Sequence, residues 1–126
     1  HGHSFSGNAL SCGVSLASLE LFEIENTASK IQSIADCHKE FLSRIEGNPK
    51  VLNARCLGTI LAVDLATGGA QNYFDEKRDW IYNFFLERGA LVRPLGNTIY
   101  LMPPYCILPD EIEHLYTSII ELLKEV

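Results

Sequence analysis

Val51-Leu-Asn-Ala-Arg-Cys-Leu57-Gly58-Thr59-Ile-Leu-Ala-Val-Asp-Leu65 is the stretch that decides the fold class. It contains two runs, residues 51–57 and 59–65, whose apolar and β-branched side chains are typical of strands. Gly58 lies between the runs and predicts a bulge or a bend there, because glycine weakens a continuous strand. The stretch therefore predicts two neighbouring β-strands.

Amphipathic helices are predicted on both sides of these strands. Residues 27–45 carry apolar side chains at helical spacing, and Gly47-Asn48-Pro49 ends that helix. Asp75 can cap a third helix, which Gly89 ends, and a last helix begins at Pro109, a residue favoured in first turns. The predicted buried faces of these helices are Ile31, Ile34, Ala35, His38, Phe41, Leu42 and Ile45; Trp80, Ile81, Phe84 and Phe85; and Ile112, Leu115, Tyr116, Ile119, Leu122 and Leu123.

Two shorter strands, residues 90–93 and 98–102, are predicted beyond the third helix, with Pro94-Leu95-Gly96-Asn97 as the turn between them. An additional helix is predicted at the start of the chain, because Asn8 is a good N-cap. The order α-α-β-β-α-β-β-α predicts an α+β fold, a small and mostly antiparallel sheet with helices packed on one face.

The first predicted helix is rich in small residues and can pack closely against other backbone. We expect it to lie between two layers or two subunits, or to be a spacer from an N-terminal domain. Residues 1–22 would then form a loop and an interdomain helix, and residues 23–126 a C-terminal small domain.

Composition narrows the possible partners. The chain has 126 residues, the size of one domain, and its net charge of −6 argues against binding to nucleic acid. No apolar run approaches the ~20 residues that cross a bilayer. The first residues lack a basic segment followed by an apolar run, so we do not expect them to be a signal peptide. The cysteines have no C-x-x-C spacing and lie among apolar residues, so we interpret them as small buried hydrophobes in a reducing, cytoplasmic setting, with neither disulfides nor a metal site. They are Cys12, Cys37, Cys56 and Cys106.

Residues 2–8, Gly-His-Ser-Phe-Ser-Gly-Asn, form a hydroxyl-rich segment that leads into the first helix. Backbone N–H groups and serine hydroxyls at such a junction can bind an anion, above all phosphate. A terminal segment with an ordinary helix cap also explains these residues. Composition alone favours that simpler interpretation, because neither a G-x-G-x-x-G nor a P-loop spacing is present.

Arg93 ends a predicted strand, where its guanidinium can bind a carboxylate. Tyr100 lies across the predicted hairpin from Arg93 and could add a hydroxyl to the same site. A surface arginine and a tyrosine that packs on the sheet are the alternatives. His38 lies on an apolar helix stripe, which is more typical of a core histidine than of a ligand.

No side chain in a convincing context is a nucleophile. The lysines lie on polar helix faces, in turns or near the C-terminus, and none is expected to be desolvated enough to react as a neutral amine. They are Lys30, Lys39, Lys50, Lys77 and Lys124. The residues thus provide groups that hold anions without a reactive group, which is half of an active site.

Two segments of the chain resemble the class-III aminotransferases, which are pyridoxal-phosphate enzymes of fold type I. Residues 1–12, HGHSFSGNALSC, are similar to that family's H-G-x-[ST]-[FY]-x-G-N-P-L-A-C segment, with Ala9 in place of proline and Ser4 where many members have threonine. Residues 93–105, RPLGNTIYLMPPY, resemble a narrower group within the family. Members of that group transfer an amino group from S-adenosylmethionine to 8-amino-7-oxononanoate in biotin biosynthesis.

The resemblance implies that the chain is the C-terminal small domain of a larger homodimeric enzyme that acts on small molecules. It assigns the phosphate of pyridoxal 5'-phosphate to Gly2, His3 and Ser4, which would reach the neighbouring subunit's cofactor. It assigns substrate carboxylates to Arg93 and a wall of the substrate pocket to Tyr100. In that family the lysine that links covalently to the cofactor precedes these segments. We therefore expect no catalytic residue in this chain, and neither stable cofactor binding nor activity from it alone.

Two alternatives remain open at the level of sequence. The chain could come from another class-III ω-aminotransferase, such as one acting on ornithine. It could also be a free-standing α+β binding or regulatory module that catalyses nothing.

Overall fold

A computed structural model describes residues 2–4, 6–66 and 77–126 of the chain. The predicted loop at residues 67–69 and the predicted cap Asp75 lie outside the described residues. Within them the chain forms four helices and three strands: α1 (Ala9–Ile24), α2 (Thr27–Ile45), β1 (Val51–Leu57), β2 (Ile60–Leu65), α3 (Lys77–Glu87), β3 (Thr98–Leu101) and α4 (Pro109–Glu125).

The strands form one antiparallel sheet in the order β1-β2-β3. Leu57 pairs with Ile60, so Gly58 and Thr59 are the two residues of a tight hairpin turn. Gly58 is not a bulge within a strand. Its φ of +56° is one that side chains with a Cβ rarely adopt, which explains glycine at this turn.

One face of the sheet forms the protein core. Alternation along β2 and β3 directs Leu61, Val63, Leu65, Ile99 and Leu101 to the side where the helices pack. Burial of each such side chain contributes about 1.5–3 kcal/mol to folding. The α+β prediction of a small antiparallel sheet covered by helices on one face is confirmed.

Helices α2 and α4 meet over this core. The Phe41 and Tyr116 rings stack with centroids 4.3 Å apart and planes 7° apart. His38 is fully buried beside them: its Nδ1 lies 2.6 Å from the Tyr116 hydroxyl and its Nε2 lies 3.0 Å from the Thr59 carbonyl oxygen. A carbonyl only accepts, so Nε2 carries the proton and Nδ1 accepts from Tyr116. His38 is thus a satisfied core histidine, as predicted.

The predicted strand at residues 90–93 is wrong. The Val92 N–H bonds the Ala90 carbonyl 3.2 Å away, within the same segment. Pro94 has no N–H to donate to a ladder. The single bridge between Leu95 and Thr98 therefore does not extend to a pairing of Arg93 with Tyr100, and a groove separates residues 89–92 from β3.

Helix α1 begins after Asn8, as predicted, and the Asn8 side chain accepts from the Ser11 N–H at 3.1 Å. No residue of α1 is buried, and near its end Phe22 makes an edge contact with the Tyr105 ring at 6.2 Å. No helix in the described part of the chain combines the length and the apolar character needed to cross a membrane. The cysteines are free thiols, but the prediction that all are buried is wrong, because Cys12 and Cys106 are exposed.

Candidate functional site

Residues 95–98, directly after Arg93 and Pro94, form a closed turn. The Leu95 N–H donates to the Thr98 carbonyl at 2.8 Å and the Thr98 N–H donates to the Leu95 carbonyl at 3.0 Å. Gly96 has a φ of +60°, which a two-residue hairpin turn requires at this place. Pro94 fixes the backbone before the turn and is buried. Arg93 is thus attached to a short, well-defined piece of backbone.

Asn97 joins this turn to the end of β2. Its carbonyl accepts from the Leu65 N–H at 2.9 Å, and its side-chain Nδ2 donates to the Leu65 carbonyl at 2.8 Å. Asn97 is only 4% exposed, and among the described residues its Oδ1 has no hydrogen-bond partner. One asparagine thereby satisfies both backbone groups of the residue that ends β2.

A buried carboxylate lies one residue further along the same pair of strands. Asp64 Oδ1 accepts from the Thr98 hydroxyl at 2.7 Å, and Oδ2 accepts from Arg55 Nη1 at 2.6 Å. Asn53 adds a longer bond of 3.4 Å. Burial opposes ionisation of Asp64, but the hydrogen bonds from Arg55 and Thr98 outweigh it and lower the pKa of the carboxyl group. Asp64 therefore links all three strands as an ionised group.

The Arg93 side chain itself is exposed, and none of the described residues pairs with it. Within the described part of the chain it is the one arginine with neither a hydrogen bond nor an ion pair. The other arginine pairs are Arg44–Glu113, Arg55–Asp64, Arg78–Asp79 and Arg88–Glu121.

The surface around Arg93 suits an anion. Arg93 and Pro94 line a depression of about 340 Å³ with Arg78, Asp79 and Tyr82 of α3. Among the described lining residues, two guanidinium groups and one carboxylate leave one positive charge in excess. Arg78 already binds Asp79 at 2.7 Å, so Arg93 is the cation that remains available for a ligand.

Tyr100 is not brought into the same depression as Arg93. It is 36% exposed and lines a different groove, of about 600 Å³, between β3, residues 89–92 and the start of α4. The two residues predicted to bind substrate thus lie on neighbouring surfaces of the described chain.

The N-terminal loop makes a turn before α1. The Ser6 N–H donates to the His3 carbonyl at 2.9 Å, and the Ser6 hydroxyl accepts from the His3 N–H at 3.1 Å. Gly2, His3 and Ser4 are exposed, and apart from its chain neighbours no described residue crowds Gly2. The Ser4 hydroxyl has no hydrogen-bond partner among the described residues. This small, open donor set fits an anion such as a phosphate group.

The lysine side chains that the structure describes provide no desolvated amine. Lys30 and Lys39 form ion pairs with Glu25 and Asp36, at side-chain exposures of 37% and 62%. Lys50 and Lys124 are exposed, and Lys50 binds the C-terminal carbonyl of Val126. No described lysine has the buried surroundings of a reactive amine.

The family model described as Aminotransferase class-III matches residues 1–123. The chain belongs to this family. Because the match covers nearly the whole chain, the alternative of an unrelated binding module has no support.

Individual class-III relatives agree with this assignment. The chain is 39% identical over 128 residues to an adenosylmethionine-8-amino-7-oxononanoate aminotransferase of Synechococcus elongatus, covering 100% of the chain and 29% of the relative. Identity to the enzyme of that name from Helicobacter pylori is 32% over 130 residues, with the same coverage of both. The chain thus spans less than a third of the length of the curated relatives that it matches.

A solved structure shows the same fold. The crystal structure of adenosylmethionine-8-amino-7-oxononanoate aminotransferase from Methanocaldococcus jannaschii superposes with a TM-score of 0.86 at 32% identity, covering 100% of this chain and 30% of that one. The chain therefore has the same fold as the matching part of that larger enzyme.

Three features of the site were missed from the sequence. In the sequence, Asp64 is marked only as a charged residue within the otherwise apolar run of β2. Asn97 was interpreted as a turn-forming residue, although its side chain is the bond to β2. Tyr82 belongs to a helix predicted without a link to Arg93, and only the folded chain brings them into one depression.

Proposed function

We propose that the full-length protein containing this chain is an aminotransferase that moves an amino group from S-adenosylmethionine to 8-amino-7-oxononanoate, a step of biotin biosynthesis. The identity of 39% to a relative of that name supports this substrate pair. The similarity of residues 93–105 to the same narrower group supports it as well.

The observation that carries the proposal is the uncommitted guanidinium of Arg93. A planar guanidinium binds a carboxylate through two parallel hydrogen bonds, and 8-amino-7-oxononanoate and S-adenosylmethionine each bear a carboxylate. Among the described residues no carboxylate pairs with Arg93, and Pro94 with the closed turn that follows it restricts the Arg93 backbone. Tyr100 lines the substrate pocket of the assembled enzyme from the neighbouring groove.

Pyridoxal 5'-phosphate is the cofactor of the proposed enzyme, and it would supply the electron sink for amino transfer. Gly2, His3 and Ser4 would line the site of its phosphate, with the Ser4 hydroxyl as a donor. The exposed, uncrowded geometry of this loop supports that role. We assign the loop to the cofactor of the neighbouring subunit in a homodimer.

Helix α1 supports the proposal of a larger assembly. It exposes large apolar side chains along its length, a pattern that marks an interface: Leu10, Val14, Leu16, Leu19, Leu21, Phe22 and Ile24. We assign residues 1–22 to contacts with the rest of the enzyme and its partner subunit, and residues 23–126 to the small domain. The enzyme would act in the cytoplasm, without nucleic acid or membrane partners.

The chain alone should be inactive, because no described lysine is suited to link to the cofactor. Mixing the 126-residue chain with pyridoxal 5'-phosphate should give neither saturable, stoichiometric absorbance changes nor transamination. Turnover by the chain alone would overturn this part of the proposal.

The substrate assignment is tested on the full-length protein. It should transaminate 8-amino-7-oxononanoate with S-adenosylmethionine, whereas preferred activity on ornithine would assign it to another class-III group. Arg93→Ala should lower kcat/KM by about 30-fold or more, because a bound carboxylate loses its charged partner at a cost of about 2–5 kcal/mol. Arg44→Ala is the control, since Arg44 is paired with Glu113 and should leave kcat/KM within about twofold. An unchanged kcat/KM in Arg93→Ala would remove the carboxylate role.

A further inference from the structure

The turn that follows Arg93 and Pro94 is bound to β2 by the side chains of Asn97 and Thr98. Neither side chain lines the depression that contains Arg93. We propose that Asn97 and Thr98 are positioning residues that fix the direction of the Arg93 guanidinium toward a substrate carboxylate. This inference rests on the proposed function of Arg93, and it adds residues that the resemblance did not assign.

Asn97 replaces a backbone bond that the turn removes. In a regular ladder the backbone N–H of Asn97 would donate to the Leu65 carbonyl, but the side-chain Nδ2 makes that bond instead, at 2.8 Å. Its Oδ1 is buried without a partner among the described residues, which is unfavourable. The contribution of the Asn97 side chain is therefore its hydrogen bond to the Leu65 carbonyl, which connects the turn to the sheet.

Thr98 provides a second tie at the neighbouring residue. Its hydroxyl donates to Asp64 Oδ1 at 2.7 Å, and Asp64 is itself held by Arg55 of β1 at 2.6 Å. Bonds from two adjacent residues to two adjacent residues of β2 prevent the turn from rotating about the strand axis. These hydrogen bonds fix the position of the turn relative to all three strands.

The path from these ties to Arg93 is short and stiff. Thr98 closes the turn through its reciprocal backbone bonds with Leu95, and Pro94 restricts the backbone of Arg93 before it. A change at Asn97 or Thr98 therefore moves the origin of the Arg93 side chain. Displacements of about 1 Å in a binding group can cost on the order of 100-fold in rate.

The test uses the full-length protein and compares 8-amino-7-oxononanoate with its methyl ester, which lacks the carboxylate charge. Asn97→Ala and Thr98→Val should each raise KM for the acid about tenfold with kcat within about twofold, and lower the acid-to-ester ratio of kcat/KM by about tenfold. Thr98→Ser keeps the hydroxyl and should restore the ratio. Asn48→Ala is the matched control, since its side chain bonds the Lys50 N–H in a turn away from β3.

Two outcomes overturn the positioning role. One is a collapse of the acid-to-ester ratio in Arg93→Ala with an unchanged ratio in Asn97→Ala and Thr98→Val. The other is an equal loss for acid and ester in the latter two variants, which would indicate a general structural defect. An unchanged ratio in Arg93→Ala itself would instead remove the proposed function of Arg93. The double variant Arg93→Ala/Thr98→Val should show the same ratio as Arg93→Ala, because Thr98 acts through Arg93.

Discussion

Tyr116→Phe tests the buried hydrogen-bond chain that connects α4, α2 and the β1–β2 turn. The substitution removes one oxygen atom and keeps the ring that stacks on Phe41, so it creates little cavity. His38 Nδ1 then loses the donor 2.6 Å away and remains buried without a partner, while Nε2 stays bonded to the Thr59 carbonyl. The change isolates one buried hydrogen bond.

The expected loss of unfolding free energy follows from His38 Nδ1, which is left without a donor. A buried polar group without a partner costs about 1–3 kcal/mol of unfolding free energy. With an unfolding entropy of about 2.1 cal/mol/K per residue, the 126-residue chain should lose ~4–11 °C in Tm. Urea and thermal unfolding followed by circular dichroism measure both quantities.

Tyr105→Phe is the matched control for this substitution. Tyr105 is 45% exposed and its ring contacts Phe22, so loss of its hydroxyl should change the unfolding free energy by less than about 0.5 kcal/mol. If Tyr116→Phe were as mild as Tyr105→Phe, the hydrogen-bonded tautomer assigned to His38 would be refuted.

Three further perturbations have expected directions. Burial lowers the pKa of His38 below its value of 6.5 in the unfolded chain, more than its bond to Thr59 raises it, so the unfolded state binds the proton first as pH falls. The unfolding free energy should therefore decrease from about pH 7 to pH 5, and a pH titration of urea midpoints should show no such slope in His38→Gln. Asp64→Asn should cost about 1–2 kcal/mol in the same assay, since one amide oxygen cannot accept from both Arg55 and Thr98; no change in stability would refute the ionised bridge. Gly58→Ala should destabilise by about 1–2 kcal/mol because of its φ of +56°, whereas Gly13→Ala in α1 should stabilise by up to about 1 kcal/mol; chemical denaturation in which both variants shift in the same direction would contradict the backbone argument.

Local patterns predicted the secondary structure well where one physical signal dominates. The apolar spacing of residues 27–45 and the proline at 109 predicted α2 and the start of α4 with the bounds that the structure has. The prediction of a strand at residues 90–93 was wrong. Its apolar residues are typical of a strand, but hydrogen bonding within the segment and the missing N–H of Pro94 prevent it from pairing with β3.

The candidate site was predictable as residue types and not as an arrangement. Arg93 and the hydroxyl-rich loop are recognisable from the sequence because anion binding requires donors, and few residue types supply them. That Arg93 has no ion-pair partner among the described residues is a property of the fold, since it depends on where their carboxylates lie. The position of Tyr100 was not predictable either. The sequence placed it opposite Arg93 in a hairpin, whereas in the structure the two residues line different depressions.

The sequence by itself determined the α+β class, the helices, the two neighbouring strands β1 and β2, and the residue types able to hold anions, because these depend on periodicity and on single-residue chemistry. Only the tertiary structure decided that Asn97 and Asp64 tie the Arg93 turn to the sheet. Hydrogen bonds between residues more than 30 positions apart depend on strand register, which no local pattern records.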